Sequence, residues 1–221
     1  MRDEFRQMGP LDRLLSVVDQ GLKAVSGAAS EPSAAARPTP RPPPGAARPP
    51  ATPAASRHSA GLMRVNHAGE IAAQALYHGQ ALVAKDPSVR AFMLAAAREE
   101  GDHLVWCAGR LRALDARPSI LDPVWYLGGV AIGALAGLGG DALSLGFITE
   151  TERQVEGHLD AHLAQLPPED LESRAILEQM RVDEIEHGAN ARARGAAELP
   201  GPVRAVMRLT AKLMTRSAYW I

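Results

Sequence analysis

The sequence predicts an all-α protein: a four-helix bundle with a long apolar crossover and an extra C-terminal amphipathic helix. Three observations carry that expectation. Glu-x-x-His occurs twice, as Glu100-Gly101-Asp102-His103 and as Glu184-Ile185-Glu186-His187. Positions three apart share one helix face, so each motif projects a carboxylate and an imidazole together. Each is also preceded by a lone carboxylate, Glu70 lying 30 residues before Glu100 and Glu152 lying 32 before Glu184. Finally, Asp86-Pro87 and Leu166-Pro167-Pro168 break the chain between these stretches, because proline removes an amide donor and restricts the residue before it.

The spacing sets a depth. Glu70 is 16 residues before Asp86 and Glu100 is 14 after it, while Glu152 is 15 before Pro167 and Glu184 is 16 after Pro168. At a helical rise of about 1.5 Å per residue, all four reach about 20–24 Å from their turns. Two hairpins therefore bring Glu70, Glu100, His103, Glu152, Glu184 and His187 to one level. A solvated charge pattern has no reason to keep such a register.

The elements follow in order. Residues 10–26 form an amphipathic helix, with Leu11, Leu14, Leu15, Val18, Leu22 and Val25 at helical spacing. It is an accessory helix that docks on the bundle, a partner or a membrane. Residues 28–57 are almost wholly Ala, Pro, Arg, Ser and Thr, which predicts an extended, semi-rigid linker. Its arginines (Arg37, Arg41, Arg48 and Arg57) serve solubility or a weak attraction to anionic lipid. The expected divisions are therefore an N-terminal helix over 1–27, a linker over 28–58 and a metal-binding domain over 59–221.

The first core helix is expected from Ser59 to Lys85 and the second from Pro87, a good first helical residue, to Ala116. Residues 124–149 are the most apolar stretch, with Gly129, Gly133 and Gly137 giving one smooth face for close packing. Three readings stand open: a transmembrane span, a fully buried crossover, and a crossover that dips an exposed face into a bilayer. Trp125 to Gly140 supplies only 16 residues before Asp141, against the about 20 that a span needs. The next helix overlaps the end of that stretch, carries Glu152 and runs to Gln165. Another covers Pro168 to Gly195, with Glu169 and Asp170 in its first turn and Arg192 and Arg194 in its last, as the helix dipole favours. Residues 203–219 form the final helix. Arg204, Arg208, Lys212 and Arg216 recur every four residues along it, a pattern shared by membrane-surface helices and by ordinary solvated faces.

Composition narrows the function. A net charge of −1 argues against nucleic acid as a partner. The single Cys107 excludes an intramolecular disulfide and a Cys-based zinc site, and it fits a reducing compartment. The first residues, Met1-Arg2-Asp3-Glu4, carry acids early and lead into no apolar run of a signal's roughly 7–15 residues. There is no His-Glu-x-x-His, nucleophile elbow or phosphate loop.

Four Glu and two His offer hard oxygen and borderline nitrogen donors, which suit iron or manganese. Four carboxylates facing one another in a bundle interior are prohibitive unless protonated or neutralised. Two divalent ions cancel their charge, so the site makes sense loaded. Glu99 and Asp183, each just before a ligand Glu, are candidates to hold the imidazoles from behind. Glu150 rivals Glu152 for depth, and His158 with His162 is a candidate second metal patch, set against solvent-facing or hydrogen-bonding roles. No catalytic side chain beyond the six ligands stands out.

The repeated Glu, Glu-x-x-His pattern resembles the ligand set of ferritin-like dinuclear carboxylate proteins. More closely, Leu62-Met63-Arg64-Val65-Asn66-His67-Ala68-Gly69-Glu70, Glu99-Glu100-Gly101-Asp102-His103-Leu104, Glu150-Thr151-Glu152-Arg153-Gln154-Val155-Glu156 and Asp183-Glu184-Ile185-Glu186-His187 resemble the demethoxyubiquinone hydroxylases of ubiquinone biosynthesis. The resemblance covers residues 60–221, with the N-terminal helix and linker similar to the extension of the bacterial branch.

It implies a ferritin-like di-iron monooxygenase with two iron ions on Glu70, Glu100, His103, Glu152, Glu184 and His187, and so favours Glu152 over Glu150. It implies as substrates O2 and a polyprenylated benzoquinol, 2-polyprenyl-3-methyl-6-methoxy-1,4-benzoquinol. It also implies a peripheral location on the cytoplasmic face of the bacterial cell membrane. A second copy of the chain or a lipid-binding protein that presents the quinol is a candidate partner. Animal members carry a Tyr after the His of the helix bearing the third Glu, whereas Leu159 follows His158 here. The alternative from another class is a ferritin-like iron-oxidising, storage or peroxide-detoxifying protein, against which the apolar 124–149 stretch stands.

Overall fold

A computed structural model describes residues 9–26, 37–46 and 50–221. Residues 1–8, 27–36 and 47–49, which include part of the expected linker, lie outside the described residues. Among the described residues there are seven helices and no strand. They are α1 (Pro10–Ser26), α2 (Pro53–Val83), α3 (Pro87–Ala113), α4 (Asp122–Leu138), α5 (Asp141–Gln165), α6 (Leu171–Ala193) and α7 (Gly201–Ala218).

Helix starts are set by capping. Thr52 accepts a hydrogen bond from the Ala55 amide, and Pro53 takes the first turn, where no amide donor is missed. Helix α2 therefore begins at Pro53 instead of Ser59. Asp86 caps α3 through the Ser88 amide at 2.7 Å, and Asp170 caps α6 through the Ser173 amide at 3.1 Å. The C-terminal bounds of α2, α3 and α6 fall within three residues of the expected ones.

Helices α2 and α3 form one hairpin and α5 and α6 the other, and the four make the bundle. The apolar stretch between the hairpins is not one helix. It breaks at Gly139-Gly140, where Gly140 has φ 101°, and Asp141 then opens α5. The Asp141 carboxylate accepts from the amides of Lys85 (3.1 Å) and Asp86 (2.8 Å), tying this break to the α2–α3 turn.

Helix α4 lies along α2 at backbone contact. A Cβ on Gly133 would sit 2.2 Å from the Leu76 carbonyl oxygen, and one on Gly129 2.7 Å from that of Ala72. Gly79 of α2 answers from the other side, 2.2 Å from the Val130 carbonyl. The smooth glycine face expected from sequence is thus the α2–α4 seam. The fully buried crossover does not hold, because Val124, Leu127, Leu135 and Leu138 are exposed on its outer face. No helix of the described residues is long and apolar enough to cross a membrane.

Helix α1 docks on α4, where the Tyr126 hydroxyl donates to the Val17 carbonyl at 3.1 Å and its ring covers Gly21. This leaves Leu11, Leu14, Leu15, Val18 and Leu22 facing out. Helix α7 is anchored by its C-terminal end. Ala218 is buried beside Val65 and Ala68, and Arg64 donates to the Tyr219 carbonyl at 2.8 Å.

Candidate metal centre

The bundle core is apolar at both ends and polar in the middle. One apolar cluster joins Leu62, Met63, Trp106, Leu111, Leu159, Leu177 and Met180. The other joins Tyr77, Ala81, Val89, Met93, Leu145 and Ile148. Along each of the four helices the candidate ligands fall between these two clusters in sequence. Glu70 follows Met63 and precedes Tyr77, and Glu152 follows Ile148 and precedes Leu159. The six residues form a layer between two hydrocarbon plugs.

All six are buried: Glu70, Glu100, His103, Glu152, Glu184 and His187. They fall into two overlapping groups whose ligand atoms lie within 4.8 Å of one another: Glu70, Glu100, His103 and Glu184, then Glu100, Glu152, Glu184 and His187. Glu100 and Glu184 belong to both. Each group could hold one ion, with Glu100 and Glu184 common to both.

The imidazoles are oriented alike. His103 turns Nδ1 inward, 3.2 Å from Glu70, 3.1 Å from Glu100 and 3.2 Å from Glu184. Its Nε2 points back to Asp183 Oδ2 at 2.9 Å. His187 turns Nδ1 toward Glu100 at 3.3 Å and Glu184 at 3.6 Å, with Nε2 on Glu99 Oε2 at 2.7 Å. Each backing carboxylate crosses between hairpins: Asp183 of α6 holds the His of α3, and Glu99 of α3 holds the His of α6. With a proton on Nε2 donated outward, Nδ1 is left as the inward donor to a metal.

The buried donor atoms fit a metal. Glu100 Oε1, Glu152 Oε2, Glu184 Oε1 and His187 Nδ1 are buried without a hydrogen-bond partner. Two of these oxygens lie within ion-pair distance of a ring nitrogen, but none has hydrogen-bond geometry. Unpartnered carboxylate oxygens in a dry core cost about 1–3 kcal/mol each or more, and metal coordination removes that cost.

The same crowding perturbs protonation. Burial first, then the Glu100 charge, pushes Glu70 well above the usual carboxylate range, and burial with Glu184 and Glu100 does the same to Glu152. Burial opposes charge on His103, but Asp183, Glu100, Glu70 and the nearby Glu184 outweigh it and raise the ring well above its ordinary value. His187 is raised to about 12, burial again being outweighed by Glu100 and Glu184. Glu100 and Glu184 stay ionised despite burial, because both imidazoles lie beside them.

The rival residues find other partners. Glu150 pairs with Arg153 at 2.7 Å and Gln154 at 2.7 Å, outside the layer. Asp102 pairs with Arg37. The His158 and His162 rings lie 3.8 Å apart and tilted to each other, but His162 is buried and bonds Asn66 at 3.0 Å. Burial depresses both, to about 4 and about 3, so they are neutral; no carboxylate joins them, and the second metal patch is not formed among the described residues.

Two residues of the site escaped the sequence reading. The Tyr77 hydroxyl donates a short hydrogen bond to Glu152 Oε1, leaving Oε2 as the oxygen free for a metal. Burial and the Glu152 charge hold that phenol well above its ordinary pKa, so it remains a donor. Tyr77 lies seven residues after Glu70, on the same face of α2, a signal that was available. Arg37 is the other, and its Pro-rich surroundings gave no periodic signal.

Fold and layer together define a helical-bundle protein whose core holds two overlapping carboxylate–histidine groups able to hold metal. The chain belongs to the family described as ubiquinone biosynthesis protein COQ7, whose model matches residues 57–218. Among its relatives is a protein of Paraburkholderia xenovorans named 3-demethoxyubiquinol 3-hydroxylase, 57% identical over 214 residues, covering 96% of this chain and 99% of the relative. Proteins of the same name from Cupriavidus metallidurans (54% identical over 211 residues, 96% and 100% covered) and Bordetella petrii (50% over 220 residues, 98% and 94% covered) are similarly close.

Proposed function

We propose that this chain is the enzyme that hydroxylates demethoxyubiquinol in ubiquinone biosynthesis, using O2 at a di-iron centre in the bundle core. The observation that carries the site is the buried six-residue layer with its orphaned carboxylate oxygens. Identities of 50–57% to hydroxylases over nearly the full length support the substrate class. Glu70 and His103 would hold one iron, Glu152 and His187 the other, with Glu100 and Glu184 shared. Iron there would supply the reduction of O2 and the insertion of one oxygen atom into the quinol ring. The balance takes one O2, two electrons and two protons, and it yields the hydroxylated ring and water.

The side chains of this chain do the rest. Asp183 and Glu99 hold the Nε2 protons and so fix which ring nitrogen faces inward. Tyr77 holds one oxygen of Glu152. The two apolar clusters keep bulk water from the layer, which strengthens every charge interaction inside it.

A lipid-soluble substrate calls for a surface that meets lipid. Helices α1, α4 and α7 all pack on α2 and all expose apolar side chains: Leu11, Leu15 and Leu22; Leu127, Leu135 and Leu138; Val206, Leu209 and Leu213 with Trp220. The Arg204, Arg208, Lys212 and Arg216 stripe of α7 complements anionic headgroups at about 1 kcal/mol per charge. This supports peripheral attachment to a bilayer, with the bundle (α2 to α7) as the metal-bearing unit.

The test is complementation of a bacterial strain lacking its demethoxyubiquinol hydroxylase. Ubiquinone should be restored by the wild-type chain and not by Glu184→Ala, with demethoxyubiquinone accumulating in the latter. Restoration by Glu184→Ala would overturn the site, and no restoration by well-expressed wild type would overturn the substrate. Removing all four basic charges of α7 should release the purified protein from anionic vesicles; unchanged binding would overturn the surface.

A further inference from the structure

The two halves of the metal layer are built alike but backed differently. Glu99, behind His187, is 51% exposed at its side chain. Asp183, behind His103, is 10% exposed and is held at both oxygens. Its Oδ1 accepts from Gln179 at 3.0 Å, and its Oδ2 accepts from His103 and from Arg37 Nη2 at 2.9 Å.

Arg37 does not come from the bundle. It belongs to the Pro-rich segment 37–46, and it is fastened at several points. Its Nε donates to Asp102 Oδ2 at 2.8 Å and its backbone amide to Asp102 Oδ1 at 3.1 Å. Its carbonyl accepts from the Trp106 indole at 3.2 Å, and its guanidinium lies 4.8 Å from the centre of that ring. The Trp106 ring in turn packs 5.2 Å from the His103 ring. One arginine thus spans α3 and α6 and closes around the outer edge of His103. An arginine present only for solubility has no need of such a fork, whose planar donors match two carboxylates in fixed directions.

We propose that Arg37 is a positioning residue for the metal centre, fastening residues 37–46 across α3 and α6 and fixing Asp183, and through it the His103 ring, on one side of the layer only. This rests on the six-ligand reading above. The two metal positions are then unequal in their support: the His103 side is locked by a segment outside the bundle, and the His187 side relies on an exposed carboxylate.

The experiment follows ferrous iron leaving the fully loaded chain under argon, captured by a colorimetric chelator. In parallel, NMR follows exchange of the Trp106 indole proton. Wild type should retain two ions per chain; if it does not, the six-ligand reading fails and not this one. In Arg37→Ala the Trp106 indole should lose protection, and one ion of the two should leave about 10- to 100-fold faster, the size of effect usual for groups that orient metal ligands. Arg37→Lys, which keeps the charge without the fork, should fall between. Arg41→Ala, at an exposed position four residues on, should match wild type. Two ions leaving Arg37→Ala and Arg37→Lys at wild-type rates would overturn the proposal, as would equal acceleration of both ions or an unchanged Trp106 indole.

Discussion

Loading the metal layer should expel protons. In the metal-free chain, burial and neighbouring carboxylates favour the protonated form of Glu70 and Glu152, and the surrounding carboxylates favour the doubly protonated form of His103 and His187. Glu100, Glu184 and Asp183 are already ionised. A metal takes only deprotonated ligands, so filling both positions should remove a proton from His103 and His187 and from whichever of Glu70 and Glu152 carries one, up to four in all. The Nε2 protons stay, held by Asp183 and Glu99. Each released proton makes binding about 1.4 kcal/mol more favourable per pH unit. The combined affinity for two ions should therefore rise by about 3 to 5 kcal/mol, roughly a hundredfold to ten-thousandfold, per unit near pH 7. Calorimetric titration with Mn(II), which avoids oxidation, in two buffers of different ionisation enthalpy counts the protons. Release of fewer than two would refute the reasoning, because it would mean that the empty layer already holds its imidazoles ready.

Other outcomes follow from the same geometry. Above pH 7 the metal-free chain should lose stability as pH rises, because His103, His187, Glu70 and Glu152 bind protons more tightly folded than unfolded; the histidine contribution is fully present only below the unfolded value of 6.5 and the glutamate contribution only below 4.5. His78, His158 and His162, depressed by burial, are neutral in both states there and do not mask the slope. Denaturant titrations from pH 7 to 9 with and without Mn(II) should show it only without metal. Gly133→Ala puts a Cβ 2.2 Å from the Leu76 carbonyl where 3.4 Å is ordinary, so α4 must move off α2 by about 1.2 Å. The cost should be at the upper end of about 1–3 kcal/mol in urea unfolding. Gly128→Ala, with nothing within 4 Å of its Cβ, should be neutral or stabilising by under about 1 kcal/mol. Tyr77→Phe should weaken metal retention about tenfold by freeing Glu152, read in the same chelator assay.

Much of this centre was legible in the chain because its parts obey helical period. The Glu-x-x-His repeats fixed two faces, and counting from Asp86 and the two prolines put six candidate residues at one level, where the structure clusters them. Glu99 and Asp183 were visible as neighbours of ligands, although each serves the opposite hairpin's histidine, which no local spacing reveals. Arg37 was unreadable: its partners Asp102 and Asp183 lie 65 and 146 residues away, and a proline-rich segment has no period from which to infer a contact. The break at Gly139-Gly140 was hidden by uniform hydropathy, since apolar content says nothing of a residue at φ 101°. The helix start at Pro53 was missed because proline was read as excluding helix, when it is well suited to the first turn.

The most direct test of the central claim is an anaerobic single turnover. The chain is loaded with two equivalents of ferrous iron, mixed with a short-tailed demethoxyubiquinol, and exposed to 18O-labelled O2. The account predicts a ring product heavier by one labelled oxygen atom, absent when Glu184→Ala is used. Iron oxidation with the quinol recovered unchanged, or a product carrying oxygen from water, would contradict it.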